Sequence, residues 1–330
     1  MVEEMAAVVA AAGAVAAAVA GAAAVAAEVT RLDRVGIGWR ADLAAGIFAN
    51  LDCIDIVEVI AENYFRTAKS TIRALRRLRE QVPLTLHGVG MGLASTIPVV
   101  RERCESMARL VATIEPEAWS EHLAFVRAGG VEIGHLAAPP RSRQSAAGTI
   151  ANIETATRIV GSLPLLENIA TLIDPPASEF DEPQWVSEIA RGSGAGLLLD
   201  LHNLYSNACN FGDDPTELLL RFPLERVVQV HISGGRWVDV PGDPPGQLSR
   251  RESGGPSGQR RLLDDHLHDV PPAVHELLTF LASRAPQPLT VILERDGHFP
   301  KFDLLLAQIE LARNAVHRGR LLALNESACA

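Results

Sequence analysis

Eight times along this chain a short apolar run ends in a polar residue, often one able to bind a metal. The clearest runs are Leu84-Thr85-Leu86 into His87, Ala118-Trp119-Ser120 into Glu121-His122, Pro164-Leu165-Leu166 into Glu167-Asn168, Leu197-Leu198-Leu199 into Asp200, Val228-Gln229-Val230 into His231, and Val291-Ile292-Leu293 into Glu294. Upstream, Gly36-Ile37-Gly38 leads into Trp39-Arg40, and the stretch 55–60 leads into Glu62-Asn63. Most of the later gaps are roughly thirty to forty-five residues, the length a strand and its crossover helix require. Eight parallel strands closed on themselves bring all these ends to one face, where the active sites of such barrels sit. The expected fold is α/β, a TIM-type (β/α)8 barrel forming one domain over residues 33–316, with an enzyme site at the strand ends.

The segments between the runs have helical periodicity. Met107, Leu110, Val111 and Ile114 recur at the spacing of one apolar stripe, while Arg101, Glu102, Arg103, Glu105 and Arg109 fall mostly elsewhere. Further helices are expected over 72–79, 146–160, 183–190, 271–282 and 302–316, leaving 317–330 as a C-terminal tail. Alternation of strand and helix is the α/β signature. One connection breaks it: residues 233–261 are rich in Gly, Pro and Ser and carry Arg236, Arg250, Arg251, Arg260 and Arg261. Leaving a strand end at the expected site, this loop is either a lid and substrate-docking element or a passive insertion.

Composition narrows the class. With 330 residues and 48% hydrophobic content, the chain can bury the core of a barrel of about 250 residues. A net charge of −10 supplies no general basic face for phosphates, so nucleic acid is not an expected partner. Cys53, Cys104, Cys209 and Cys329 show neither C-x-x-C spacing nor a disulfide framework, which fits a reducing cytoplasm. Residues 5–27 are almost wholly Ala, Val and Gly, but Glu3 and Glu4 stand where an export signal carries Lys or Arg, and alanine gains little on entering lipid. Residues 1–32 are therefore read as a low-complexity extension, helical or disordered, rather than a membrane anchor.

His87, His122, Glu167, Asp200, His231 and Glu294 occupy six strand ends, and an acidic and His-rich stretch, Asp264-Asp265-His266-Leu267-His268-Asp269, follows the long loop. Any one of these alone reads as a hydrogen-bonded surface group. Six recurrences at one point of a repeat point to a metal cluster, and imidazoles and carboxylates without thiolates suit iron, manganese or zinc. One ion takes about four to six ligands, so the set can serve two or three. After Asp200, His202 and Asn203 compete for a place in it. Strand alternation returns Asp296 to the side of Glu294 and turns Arg295 away; Asp296 is a candidate proton acceptor, or else an ion-pair partner of Arg295 or a loop cap.

Taken in order, the motifs Gly36-Ile37-Gly38-Trp39-Arg40, Ala61-Glu62-Asn63-Tyr64, Leu86-His87-Gly88-Val89-Gly90, Ser120-Glu121-His122-Leu123, Leu165-Leu166-Glu167-Asn168, the run LLLDLHNLY over 197–205, Val230-His231-Ile232-Ser233-Gly234 and Leu293-Glu294-Arg295-Asp296-Gly297 resemble the multinuclear non-haem iron-dependent oxidative enzymes, the family that includes the oxidase of methanobactin biosynthesis. The resemblance spans about residues 35–314. It implies a TIM-type barrel holding two or three irons, with dioxygen as co-substrate, that modifies a side chain, often cysteine, of a ribosomally made precursor peptide. It also implies a small partner protein that recruits the peptide leader. Carried over by position, the iron ligands are His87, His122, Glu167, Asp200, His231, Asp264, His266 and Glu294, with Asn203 or His202 completing a site and Asp296 beside them as a base. The N-terminal extension, the long loop and Asp265, where the family usually has Thr, depart from the pattern. The competing enzyme class is a zinc or manganese hydrolase or sugar isomerase of the endonuclease IV and xylose isomerase type, which gathers the same residue types and uses metal-bound hydroxide or a polarised carbonyl. A non-catalytic, metal-dependent peptide-binding module is the third reading.

Overall fold

A computed structural model of the chain describes residues 32–239 and 260–329; the expectations for residues 1–31 and for the middle of the long loop lie outside them. In chain order the strands are β1 (Arg34–Gly38), β2 (Val57–Ile60), β3 (Leu84–Gly88), β4 (Trp119–His122), β5 (Phe125–Ala128), β6 (Val131–Ala137), β7 (Leu165–Glu167), β8 (Leu197–Asp200), β9 (Val227–Ile232), β10 (Gly235–Asp239), β11 (Arg260–Asp264) and β12 (Thr290–Leu293). Eight of them, β1-β2-β3-β4-β7-β8-β9-β12, pair in parallel in that order, and β12 returns to β1 to close the barrel. β3, β4, β8 and β12 are buried along their whole length, and β8 and β12 are accordingly near-continuous Leu, Val and Ile, as strands covered on both faces are.

Register brings the polar ends level. His122 lies beside Glu167 across β4 and β7, and Asp200 beside His231 across β8 and β9. The helix Arg101–Ile114 buries Cys104, Met107, Leu110 and Ile114, much of the expected stripe. Helix Arg143–Val160 starts at a capping box on Ser142 and ends at Gly161, whose φ of 95° a side chain would disfavour. Helix Leu201–Phe211 follows β8 without a loop because Asp200, the last strand residue, is also its N-cap. The last helix was expected over 302–316 but runs Phe302–Cys329. Within it the buried Arg320 bonds Asp33, at 2.8 and 2.9 Å, and so ties this helix to the entry of β1.

Two antiparallel ribbons stand outside the barrel, and neither was expected. β5 and β6 join through Gly129 and Gly130, with φ of 56° and 80°, the signature of a tight hairpin turn. β10 pairs β11, so both ends of the supposed irregular connection are ordered as a ribbon rising from β9. Gly235 is required at its base, since a Cβ there would come within 2.0 Å of the Leu263 carbonyl oxygen and 2.6 Å of the His202 ring.

Candidate metal centre

Strand alternation points His87, His122, Glu167, Asp200, His231 and Glu294 into the mouth of the barrel, and all six are buried. One ligand atom from each of His87, His122 and Glu167 lies within 4.8 Å of the others, and the same holds for Glu167, Asp200, His231 and Glu294. Glu167 belongs to both groups. Its Oε2 is 3.2 Å from His122 Nε2 and 3.4 Å from His87 Nε2, while its Oε1 is 3.1 Å from His231 Nδ1. Glu294 Oε2 meets that same Nδ1 at 3.1 Å.

Each imidazole is held by its other nitrogen. His87 Nδ1 is 2.8 Å from Ser120 Oγ, His122 Nδ1 is 3.3 Å from the Gly88 carbonyl, and His231 Nε2 is 2.8 Å from Glu58 Oε1. With Nδ1–H donated to Gly88, His122 keeps a lone pair on Nε2 facing Glu167. Burial, only partly offset by Glu167, lowers the His122 pKa to about 4, so this ring is neutral at ordinary pH. For His231, burial opposes the charge but Glu294, Glu58 and Glu167 outweigh it, raising its pKa well above the usual value.

Asp264 ends β11 and His266 follows it. His266 Nε2 is 2.9 Å from Asp264 Oδ2, and its Nδ1 is 3.5 Å from Glu294 Oε2 and 3.4 Å from Asp296 Oδ2. A left-handed φ of 54° at His266 lets its N–H reach the Gly234 carbonyl and its carbonyl accept from Asp296, pinning the ring between the ends of β9 and β12. Burial, followed by the nearby Asp264, raises the Asp200 pKa well above the usual range.

The neighbours at 202 and 203 divide. Asn203 donates Nδ2–H to the Asn168 carbonyl, and its own N–H caps onto Asp200 Oδ1 at 2.7 Å, while its side-chain oxygen has no hydrogen-bond partner among the described residues. His202 Nδ1 lies 2.7 Å from Asp264 Oδ1 and orients that carboxylate. Buried polar atoms normally find partners. Here Glu167 Oε2, Asp200 Oδ2 and Asn203 Oδ1 are buried without a hydrogen bond among the described residues. The short approaches of Glu167 Oε2 to two imidazoles lack hydrogen-bond geometry; lone pairs converge instead, as they do around a cation. The donor set therefore fits metal ions, and Glu167, shared by both groups, would be held in common by two of them.

Asp296 lies at the rim. Arg295 is turned away, as expected, and bonds Asp269 and the carbonyls of Gly297 and His298. The ion-pair partner of Asp296 is not Arg295 but Arg40, at the end of β1, whose Nε donates to Oδ1 at 2.9 Å. Burial opposes this, but the His266 hydrogen bond and then Arg40 lower the Asp296 pKa.

Glu62 and Glu121 are backbone clasps. Glu62 accepts from the N–H groups of Val89 and Gly90, and Glu121 from those of Met91 and His122. A Cβ at position 88 would sit 2.6 Å from Glu121 Oε2, which accounts for the glycine directly after His87. The sequence reading missed Glu58 altogether. Its only signal was a carboxylate inside the apolar strand Val57-Glu58-Val59-Ile60.

Comparison with known proteins agrees with this architecture. The chain is similar to a UPF0276 protein of Streptomyces avermitilis, 33% identical over 274 residues, covering 81% of this chain and only 51% of that one, so it spans about half that relative's length. A UPF0276 protein of Anaeromyxobacter sp. (strain Fw109-5) is 30% identical over 293 residues, covering 89% and 96% of the two chains. Among solved structures, D-psicose 3-epimerase from Clostridium cellulolyticum H10 has a TM-score of 0.52 at 11% identity, covering 88% of this chain and 99% of that one. A xylose isomerase domain protein from Planctomyces limnophilus has a TM-score of 0.50 at 13% identity, covering 90% and 99%. At such identity these likenesses show the barrel fold alone. The model of the RiPP precursor modification enzyme family MbnB/TglH/ChrH matches residues 34–317, from β1 into the last helix, and the chain belongs to that family.

Proposed function

We propose that this chain is a non-haem iron enzyme that uses dioxygen to oxidise a side chain, such as that of cysteine, in a ribosomally made precursor peptide. The observation that carries the reading is the pair of ligand groups sharing Glu167, with orphaned lone pairs directed between them. His87, His122 and Glu167 would hold one ion, Glu167, Asp200, His231 and Glu294 a second, and Asn203, Asp264 and His266 complete the second or hold a third. Iron bound there supplies the one-electron steps that dioxygen chemistry requires.

The chain's own residues do the rest. Ser120, Gly88 and Glu58 fix the ring orientations, and His202 fixes Asp264. Asp296, at the rim and in contact with His266, is placed to take a proton from the bound peptide, with Arg40 holding it in position. The proposal includes a small partner protein that recruits the peptide leader, and a cytoplasmic setting in which substrate thiols stay reduced.

The test is metal analysis and Mössbauer spectroscopy of anaerobically purified protein, followed by dioxygen consumption with a precursor peptide encoded next to this gene. At least two irons per chain and peptide-dependent consumption are expected. Stoichiometric zinc with hydrolytic or isomerase turnover would instead install the competing enzyme class, and metal binding without turnover the binding module.

A further inference from the structure

Glu58 lies one layer beneath the ligands. Thr85 precedes His87 by two residues and Gln229 precedes His231 by two, so both face the barrel interior just below the ligand layer; Glu58 pairs in register with Thr85. The three side chains meet there. Glu58 Oε2 accepts from Gln229 Nε2 and, at 3.5 Å, from Thr85 Oγ1, while Oε1 is 2.8 Å from His231 Nε2. A carboxylate in a barrel floor costs desolvation that an aliphatic residue would avoid, unless donors are provided for it. Here donors come from two strands, Thr85 on β3 and Gln229 and His231 on β9, and the residue is 2% exposed.

An imidazole has two nitrogens, and the bond made by one sets the state of the other. We propose that Glu58 is a positioning residue of the metal centre: by accepting the Nε2–H of His231 from below, it presents Nδ1 to the ions beside Glu167 and Glu294. This rests on the metal reading above. Glu58 contacts the opposite ring nitrogen from Glu167 and Glu294, so it acts through His231 and is not itself a ligand. The arrangement is the carboxylate–histidine–metal relay, in which the outer carboxylate both orients the ring and increases its basicity.

The experiment uses the full chain, stripped of metal anaerobically and titrated with Fe(II), in parallel with Glu58→Gln, Glu58→Met and, as a ligand-loss control, His231→Ala. Far-UV circular dichroism and the thermal midpoint verify that each variant folds. Gln keeps an acceptor oxygen without the charge, and Met keeps the volume without the acceptor. Affinity for the ion that His231 serves should fall about 10–100-fold in Glu58→Met, the usual effect of losing such a partner, with Glu58→Gln between it and the parent. In the Zn(II)-loaded protein labelled with 15N-histidine, His231 of the parent should show a strongly hydrogen-bonded Nε2–H, absent in Glu58→Met. Parent-like affinity and an intact Nε2–H resonance in Glu58→Met overturn the proposal. A parent that binds neither ion overturns the metal reading itself; the Nε2–H resonance of the metal-free parent against Glu58→Met then decides separately whether Glu58 holds the ring.

Discussion

Glu167 and His122 differ in what they have to lose. His122 serves one ligand group, whereas Glu167 serves both. Glu167→Ala should therefore shed most of the bound metal, and His122→Ala about half of it, as read by metal analysis of proteins purified side by side; equal losses would remove the bridging role. Asp296 sits outside both groups, so Asp296→Asn should keep parent metal content and peptide affinity while slowing the oxidative step about a hundredfold, the scale of a lost general base. Single-turnover reaction of the reduced protein with dioxygen and peptide is the measurement, and parent-like rates would exclude Asp296 from proton transfer. Residues of this kind differ in how far sequence exposes them. His87, His122, Glu167, Asp200, His231 and Glu294 announce themselves because each ends an apolar run. Arg40 and Asp296 are 256 residues apart, and nothing local in either motif says that they meet.

At the scale of elements, the barrel strands were legible because burial on both faces demands unbroken apolar runs, and the outer helices because one face is wet. The ribbons were not. Gly129-Gly130 did carry a hairpin signal, but β5 has only four residues and β6 is mostly exposed, so they lack the clean alternation that identifies a strand. β10 and β11 are separated by 20 intervening residues, too many for any turn signature to join them. Their ribbon carries Arg236 near its base and Arg260 at its far end, where Arg260 stacks over Trp237 at 5.7 Å. Deleting residues 241–258 and closing the ribbon with a short turn should weaken peptide processing while leaving bound iron nearly unchanged. Unaltered peptide affinity and turnover would show the connection to be passive.

On the scale of the whole molecule, the charges of the site set how it responds to pH. His231 and His266 have pKa values raised well above 6.5 because, although burial opposes it, the surrounding carboxylates favour their charged forms. In the metal-free protein the stability this contributes is fully present below the unfolded value of about 6.5 and is lost as pH rises through the raised folded values. Metal binding runs the other way, since the ligand nitrogens must give up those protons. Upward from pH 6.5, metal affinity should rise while the metal-free protein loses thermal stability. Calorimetric titration in buffers of differing ionisation enthalpy should record proton release on binding, and zero release would contradict the assigned ligands.

The seam between β1 and β12 joins strands that begin at Arg34 and Thr290, and the ligands it encloses are drawn from His87 through Glu294. In a nascent chain on the ribosome the group of Glu167, Asp200, His231 and Glu294 thus stays incomplete until the final strand has emerged and the hoop has shut. On the proposed reading, metal loading would follow synthesis: stalled or truncated chains should be unable to assemble the ligand group that needs Glu294. A chain ended at residue 285 should accordingly retain no stoichiometric iron, and adding the missing segment in trans should restore it only where the seam re-forms.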